Sequence, residues 1–384
     1  MKPAPRRSGI EKKLLVAAVL VIGLGSWFYA EIQPQPPRLC GSEGGPPVTA
    51  KRIRLRDGRH LAYEETGVPK ERAKFKIIFC HGFASSRLDG IRASPVTWTG
   101  STWTGPVGPG FLQAETGQGF SSWIFLFLEI MEELGVYLVS YDRAGYSESD
   151  PNPKRSLRSE ASDIEELADA LNLGSRFYLM GYSLGGHAVW ASIKYIPGRL
   201  AGAALLAPVI NYWWPGFPKN LTEEVYNKQA LGDQWALRIS HHAPWLLHWW
   251  MKQSWLPTST VVKATTHLPN RLDEQVREWA ASNGMLEKRK KLATQQGIEE
   301  SYYRDMKVMF GKWEFDPMEL HKPPFNVHLW QGDEDGLVPV TLQRYVCRRL
   351  DWIEYHELSM TGHYLSAVPG FGDLLLKTFL VSSL

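Results

Sequence analysis

The chain has 384 residues, of which 44% are hydrophobic and 22% are charged. A chain of this length and composition buries a substantial core, which excludes disordered and collagen-like classes. The formal net charge is +3, and residues 1–13 supply five Lys or Arg against one Glu, so the remainder is close to neutral. Without a basic face on that remainder, we expect no nucleic-acid partner. Three cysteines are too few for a disulfide framework.

An uncharged apolar run, residues 14–30, follows the basic tail. It is about as long as the shortest helices that cross a bilayer. No small-residue cleavage site follows it, and Trp27 and Tyr29 suit a membrane interface, so residues 1–30 are predicted to be a basic segment and a membrane anchor. The distribution of basic residues favours a cytosolic N-terminus and a lumenal bulk in the endomembrane system. The alternative is a cleaved signal peptide and a secreted protein.

Residues 31–50 are rich in Pro and Gly, which predicts a linker that holds the folded part off the membrane. Short apolar runs alternate with helical patterns over residues 51–207 and 317–384, which indicates an α/β fold with a mostly parallel sheet flanked by helices. Five buried parallel strands are predicted at residues 76–80, 136–141, 177–180, 200–207 and 325–330, with a last strand at 352–358 and an edge hairpin over 53–57 and 60–65.

The alternation stops between residues 208 and 316, a stretch that carries nine of the sixteen tryptophans. Its helical patterns predict an inserted helical cap over an apolar pocket, with most of the tryptophans packing the cap against the core. Residues 96–128 fit neither a helical nor a strand period and are interpreted as an irregular insertion.

A G-x-S-x-G motif surrounds Ser183, directly after the predicted strand at 177–180 and before a helical run. This is the context that a nucleophile elbow requires, in which the glycines allow close approach of the backbone and a strained serine exposes its hydroxyl. Because the motif alone also arises by chance, its position after a strand carries most of the weight.

A serine hydroxyl becomes a nucleophile when a base removes its proton, so a histidine and an acid are expected downstream. The polar loop 331–339 follows a predicted strand and offers two acids, Asp333 and Asp335. His363 lies on a turn after the last predicted strand and is the candidate base, with a surface histidine as the alternative interpretation. The chain order Ser, Asp, His matches that of enzymes with a strand-end serine.

Two backbone N–H groups are needed to stabilise the oxyanion of an acyl-transfer intermediate. Leu184 follows the candidate nucleophile, and Phe83 lies in the loop after the strand at 76–80, so both are predicted to supply these groups. His81 precedes Phe83 in that loop and is interpreted as a residue that braces the loop by hydrogen bonds.

Five strings, HGF at 81, YDRAGYSESD at 141, GYSLGG at 181, GDEDGLVP at 332 and TGH at 361, closely resemble the α/β-hydrolase superfamily of the AB hydrolase-1 type over most of residues 51–384. The chain is also similar to a plant branch of largely uncharacterised hydrolases. The resemblance implies a triad of Ser183, Asp335 and His363 beneath a helical cap, and the spacing to Val338-Pro339 favours Asp335 over Asp333. Relatives run almost directly from Pro95 to Glu129, so residues 96–128 are interpreted as a retained intron or a lineage-specific insertion.

The leading expectation is a serine hydrolase that cleaves a carboxylic ester, or an amide or thioester, through an acyl-serine intermediate. The tryptophans and the anchor favour a small-molecule substrate with an apolar acyl group. An acyltransferase with the same triad and a non-catalytic ligand receptor are the alternatives, although a receptor would tolerate loss of the histidine that is present here. No nucleotide-binding loop or metal-ligand spacing occurs in the sequence, so no cofactor or metal is expected.

Overall fold

A computed structural model describes residues 9–89 and 129–381 of the chain. Within these residues, eight strands form one sheet in the order β1-β2-β4-β3-β5-β6-β7-β8. The strands are β1 (Lys51–Arg54), β2 (His60–Gly67), β3 (Phe75–Cys80), β4 (Val136–Tyr141), β5 (Phe177–Tyr182), β6 (Leu200–Leu206), β7 (Val327–Gly332) and β8 (Ile353–Leu358). β1 and β2 pair antiparallel at one edge, and every pair from β4 to β8 is parallel. The predicted α/β fold with a mostly parallel sheet is confirmed.

Helices cover both faces of this sheet. The helices of the described residues include α1 (Gly9–Ile32), α2 (Leu157–Ala170), α3 (Gly186–Tyr195), α4 (Lys219–Asn227), α5 (Leu231–His242), α6 (Leu247–Lys252), α7 (Thr260–Lys263), α8 (Arg271–Ser282), α9 (Met285–Ala293), α10 (Arg304–Phe310), α11 (Val340–Arg349) and α12 (Phe371–Val381). Ile78 and Cys80 of β3 pack in the core that contains α2 and α3, whereas Ile77 and Phe79 pack in the core that contains α12. Because successive side chains point to opposite faces, a strand covered on both sides is apolar throughout, which explains the continuous apolar runs in the sequence.

Five of the eight strands end at different residues than the sequence predicted, and β7 and β1 show the cause. β7 extends through Gly332, because Gln331 and Gly332 pair with Glu357 and Leu358 of β8. β1 ends at Arg54 instead of residue 57, since residues 55–59 form the turn of the hairpin. The cause in both cases is pairing with a neighbouring strand, which the periodicity of a single strand does not contain.

The described residues 208–316, which we call the helical segment, contain helices α4 to α10 and no strand. A short π-helix, Glu299–Tyr303, leads into α10. Six of the nine tryptophans in this segment are buried or half-buried, as the sequence predicted for most of them. Trp235, Trp245 and Trp255 are instead exposed.

The N-terminal helix α1 is long and apolar enough to cross a membrane, since an 18-residue window within residues 11–32 has a mean hydropathy of 1.9. The segment that follows it is bonded to the body of the protein and does not stand free as a spacer. The Arg38 N–H donates to the Gln296 carbonyl (3.0 Å), and the Thr49 N–H donates to the Glu148 carboxylate (2.6 Å). The proposed insertion at 96–128 lies outside the described residues.

Candidate active site

Ser183 lies at a sharp turn between β5 and α3, with a backbone φ of 52°. A positive φ is strained for a residue other than glycine, and such strain persists only where the surrounding structure enforces it. Gly185 permits the turn, because a Cβ at this position would lie 2.3 Å from the Cys80 carbonyl oxygen at the end of β3. The sequence motif therefore has its predicted strand-turn-helix context.

Three side chains that the sequence analysis selected form one hydrogen-bonded line. His363 Nε2 lies 2.9 Å from Ser183 Oγ, and His363 Nδ1 lies 2.8 Å from Asp335 Oδ2. All three side chains are buried, with exposed fractions of 8% for Ser183, 8% for Asp335 and 4% for His363. The carboxylate fixes the imidazole with Nδ1 protonated and leaves Nε2 to accept a proton from the hydroxyl.

The carboxylate of Asp335 is held by four donors. Besides the imidazole, Gln331 Nε2 donates to Oδ2 (2.9 Å), and the backbone N–H groups of Leu337 and Val338 each donate to Oδ1 (2.8 Å). Several donors on one carboxylate fix its orientation. The loop 333–339 thus turns this acid toward the imidazole.

The alternative acid, Asp333, points to a different partner. Its carboxylate accepts hydrogen bonds from the Thr361 N–H (3.2 Å) and the Ser359 hydroxyl (3.3 Å). Asp333 therefore supports the turn that leads to His363 and does not contact the imidazole through a described hydrogen bond.

The loop after β3 passes close to Ser183. A Cβ on Gly82 would lie 3.1 Å from the Ser183 Cβ, so a larger residue would push the loop and the serine apart by a few tenths of an ångström. The neighbouring N–H group of Phe83 belongs to this loop, and the N–H group of Leu184 belongs to the turn that Ser183 opens. Both predicted oxyanion donors therefore come from backbone next to the serine.

His81 braces this loop as the sequence suggested. Its Nδ1 donates to the Gly82 carbonyl (2.8 Å), and its Nε2 accepts from the Arg143 N–H (3.1 Å). Complete burial and the charge of Arg143 lower the pKa of His81 well below its ordinary value, so the ring is neutral. With both nitrogens bonded to backbone, this imidazole is not available to act as a second base.

A buried ion pair ties the same loop to the helical segment. The Arg143 guanidinium donates to the His81 carbonyl (3.0 Å) and makes a bidentate pair with Asp305 of α10 (2.5 and 2.6 Å). Arg155 and Tyr146 also donate to Asp305, each at 2.6 Å. Burial acts to raise the pKa of Asp305, but the two arginines outweigh it and hold this pKa at about 2.

Asp273 of α8 is a site residue that the sequence analysis missed. Its carboxylate accepts from the backbone N–H groups of His363 (2.5 Å) and Tyr364 (2.9 Å) and is 1% exposed. Burial raises its pKa, against the effect of these hydrogen bonds. Asn270, the N-cap of α8, also donates to the Glu334 carboxylate (2.7 Å). The start of α8 therefore contacts the loops of both His363 and the acid.

The only sequence signal for these contacts is a helix start. Asn270 precedes an amphipathic helical run and Asp273 lies in its first turn, which is a pattern typical of N-terminal capping. That pattern predicts bonds to the helix's own N–H groups, which Asn270 indeed makes to Leu272 and Asp273. It does not reveal that the next carboxylate bonds to a loop 90 residues away.

The local charges raise the pKa of His363. Burial acts to lower it, but the charge and the hydrogen bond of Asp335, together with the charge of Asp273, outweigh the effect of burial. A raised pKa means a more basic imidazole, which suits a group that must take a proton from a hydroxyl.

A cavity of about 670 Å³ opens above Ser183 and is lined by both the strand-end loops and the helical segment. The helical segment lines it with mostly apolar side chains, including Leu237, Val262, Val276, Met306 and Phe310. Basic and acidic side chains also line it, among them Arg289, which pairs with Asp89 at 2.8 Å. The cavity is therefore an apolar space with charged groups, and Ser183 and His363 are part of its wall.

Among the described residues, one group combines three side chains of metal-ligating type: His328 of β7 with Glu354 and His356 of β8. His328 Nδ1 lies 3.0 Å from His356 Nε2, while the ring centroids are 5.3 Å apart with an interplanar angle of 10°. The distance between the centroids exceeds the distance between the nitrogens by about the width of one imidazole ring. The two rings therefore lie edge to edge in nearly one plane. Burial lowers the pKa of both, that of His328 to about 4. This is the geometry of a hydrogen bond between two neutral rings, with their nitrogens directed at each other.

With the fold and this geometry established, comparisons with known proteins identify the class. Residues 77–370 match the profile of the alpha/beta hydrolase family, so the chain belongs to that family. No curated protein sequence matches the chain.

Solved structures of the same fold include several esterases. An esterase from Thermogutta terrifontis shares 16% identity at a TM-score of 0.51, covering 87% of this chain and 99% of that chain. The esterase EaEST from Exiguobacterium antarcticum shares 14% identity at a TM-score of 0.53, covering 86% and 99%. The enol-lactonase from Burkholderia xenovorans LB400 shares 14% identity at a TM-score of 0.53, covering 87% and 99%. At such identities, the likeness establishes the fold alone.

Proposed function

We propose that the protein is a serine hydrolase that cleaves carboxylic esters through an acyl-serine intermediate. The observation that carries this proposal is the hydrogen-bonded line from Ser183 Oγ through His363 to Asp335, with distances of 2.9 and 2.8 Å. A hydroxyl in contact with an imidazole whose other nitrogen bonds to a carboxylate is the arrangement that activates a serine for acyl transfer.

The reaction proceeds in two halves. Ser183 Oγ attacks the ester carbonyl while His363 Nε2 takes its proton, and the Phe83 and Leu184 N–H groups stabilise the tetrahedral oxyanion. The imidazolium then gives this proton to the departing alcohol, which leaves an acyl-serine. A water molecule attacks the acyl group with His363 again as base, and the acid is released as Ser183 regains its proton. Asp335 stabilises the imidazolium in both halves.

The preferred substrate is an ester with an apolar acyl chain, because the helical segment lines the cavity mainly with aliphatic and aromatic side chains. In this proposal residues 208–316 form a cap on the core of residues 51–207 and 317–384. Asp273 is a positioning residue of the cap, since it holds the backbone of His363 without reaching the reacting atoms.

Membrane attachment is part of the same proposal. Helix α1 anchors the chain in a bilayer, with the basic N-terminus cytosolic and the hydrolase in the lumen of the endomembrane system. The apolar side chains of α1 support this arrangement, because Leu14, Val21 and Trp27 are 62–70% exposed and unpacked against the body.

Turnover of nitrophenyl esters by the purified full chain tests the proposal. We expect hydrolysis of acetyl to lauryl esters, with kcat/KM rising by up to about fourfold for each buried CH2, from about 0.8 kcal/mol per group. Ser183→Ala should lower kcat/KM by about 10³-fold or more. Wild-type protein that binds these esters without turnover would indicate a ligand receptor. Formation of alkyl esters from added alcohols, at the expense of the free acid, would indicate an acyltransferase.

A further inference from the structure

Three tryptophans of the helical segment are exposed on its outer surface, outside the lining of the cavity. Trp255 is 71% exposed, Trp245 is 58% exposed and Trp235 is 37% exposed. Large exposed aromatic groups gathered in one place mark an interaction surface. We define the tryptophan face as Trp235, Trp245, Trp249, Trp250 and Trp255, all of which lie on α5, on α6 or beside α6.

Ring contacts join this face to the N-terminal helix. Phe28 of α1 contacts Trp249 of α6 edge to face, with ring centroids 6.0 Å apart, and Trp249 in turn lies 6.3 Å from Trp255. Trp250, the next residue of α6, stacks on Trp235 at 5.3 Å. Between residues 11 and 30, Phe28 is the one residue that is half-buried, and the others are exposed. Through Trp249 and Trp255, the tryptophan face is therefore in contact with α1.

The length of α1 sets the depth of this contact. Its 24 residues span about 36 Å, which exceeds the roughly 30 Å hydrocarbon core of a bilayer. Trp27 and Tyr29, on either side of Phe28, are 62% and 64% exposed near the end of the helix, where aromatic residues anchor a membrane helix at the headgroups. Helix α6 meets α1 at that level.

The segment after α1 keeps the body at the same level. The Cys40 N–H donates to the Gln296 side chain (3.1 Å), and the Ala50 N–H donates to the Glu148 carboxylate (2.9 Å). A segment bonded at both of these points cannot act as a long flexible tether, so the body stays next to the end of α1.

We propose that the tryptophan face lies in the headgroup region of the membrane that α1 enters, and that it holds the hydrolase flat against the bilayer. This inference rests on the proposed anchoring by α1. Tryptophan suits this depth because its ring is apolar while its indole N–H remains able to bond to water and headgroups. Two cations lie beside the face, where they can pair with the phosphates of the headgroups: Lys252 ends α6 and is exposed, and the Arg238 guanidinium lies 5.9 Å from the Trp235 ring.

Lipid-borne quenchers test the proposal on the full chain in phosphatidylcholine vesicles. Cys347→Ser removes the only cysteine that is not buried, and Trp245→Cys or Trp255→Cys then carries an environment-sensitive fluorophore. The matched control is Leu374→Cys on α12, which is 47% exposed but outside the helical segment. We expect nitroxide lipids to quench the labels at 245 and 255 at least about twofold more than the control label, with emission shifted to the blue.

Separate outcomes overturn the surface and the proposed function. Labels at 245 and 255 that are quenched no more than the control, in protein that remains in the vesicles after carbonate washing, contradict the surface and leave anchoring intact. Labels shielded from both lipid nitroxides and a water-soluble quencher would show that a second copy of the chain covers the face. Release of the protein from the vesicles would overturn anchoring and the surface together. Hydrolysis of a soluble ester by each labelled variant reports independently on the serine hydrolase proposal.

Discussion

The strand-end loops and the helical segment contribute different things to the candidate site. The loops supply every side chain of the hydrogen-bonded line, Ser183, His363 and Asp335. The helical segment supplies Asp273 and Asp305, which bond to the backbone of one loop and to the arginine that holds another. One region therefore carries the proposed chemistry and the other fixes its geometry, so substitutions in the first should have much larger effects on the rate.

The sharpest test within the loops compares their two acids. Asp335→Asn should lower kcat by about 10³-fold or more, because the amide no longer fixes the productive tautomer of His363 or stabilises the imidazolium. Asp333→Asn, two residues earlier in the same loop, should lower kcat by no more than about tenfold, since Asp333 bonds to Thr361 and Ser359 instead. Ester hydrolysis and thermal unfolding of both variants provide the comparison.

If both proteins are folded and kcat falls further in Asp333→Asn than in Asp335→Asn, the assignment of the acid would be reversed. Equal small losses in both would show that neither carboxylate acts on the imidazole.

The contribution of the helical segment is tested at Asp273. Asn in its place presents one acceptor and one donor to two backbone N–H groups, so either His363 or Tyr364 loses its bond and the imidazole moves. We expect kcat to fall by about 10- to 100-fold with little change in KM. Glu274→Gln is the matched control. Glu274 is the next residue of α8, and its carboxylate pairs with Arg277 and makes no described hydrogen bond to the His363 loop.

The pH profile separates positioning from a general loss of stability. Protonated His363 cannot accept the serine proton, so kcat/KM should fall as the pH drops below the raised pKa of this imidazole. The negative charge of Asp273 contributes to that raised pKa, so the apparent pKa of the Asp273→Asn enzyme should move down relative to that of the wild type. An unchanged profile together with a lower unfolding temperature would assign Asp273 a structural role only.

Local patterns in the sequence were sufficient for the fold and for Ser183 and His363 as candidates, whereas the family resemblance was needed to choose Asp335 over Asp333. The apolar runs predicted the strands because a sheet buried on both faces needs them, and the family is confirmed. Ser183, Asp335 and His363 follow three of these strands and lie at the same edge of the sheet, since the carboxyl ends of parallel strands lie together. Their catalytic roles stay a prediction.

These local patterns did not predict contacts between residues that are far apart in the sequence. Asp273 lies in an ordinary amphipathic helix, and only the packing of α8 on the His363 loop gives it a role. The Pro- and Gly-rich segment after α1 has the composition of a free linker, but the side chains of Gln296 and Glu148 bond to its backbone. In each case the deciding partner is about 90 or more residues away, and periodicity carries no information at that range.

The central claim is that His363 makes Ser183 nucleophilic, and covalent labelling with a fluorophosphonate followed by intact-mass and peptide analysis tests it most directly. The account predicts one adduct per chain, on the peptide that contains Ser183, and an unchanged rate in Ser366→Ala, a serine that lines the same cavity. Ser183→Ala should carry no adduct, and folded His363→Gln should react at least about 10²-fold more slowly. Wild-type protein that takes up no probe, or Ser183→Ala that labels as fast as the wild type, would contradict the claim.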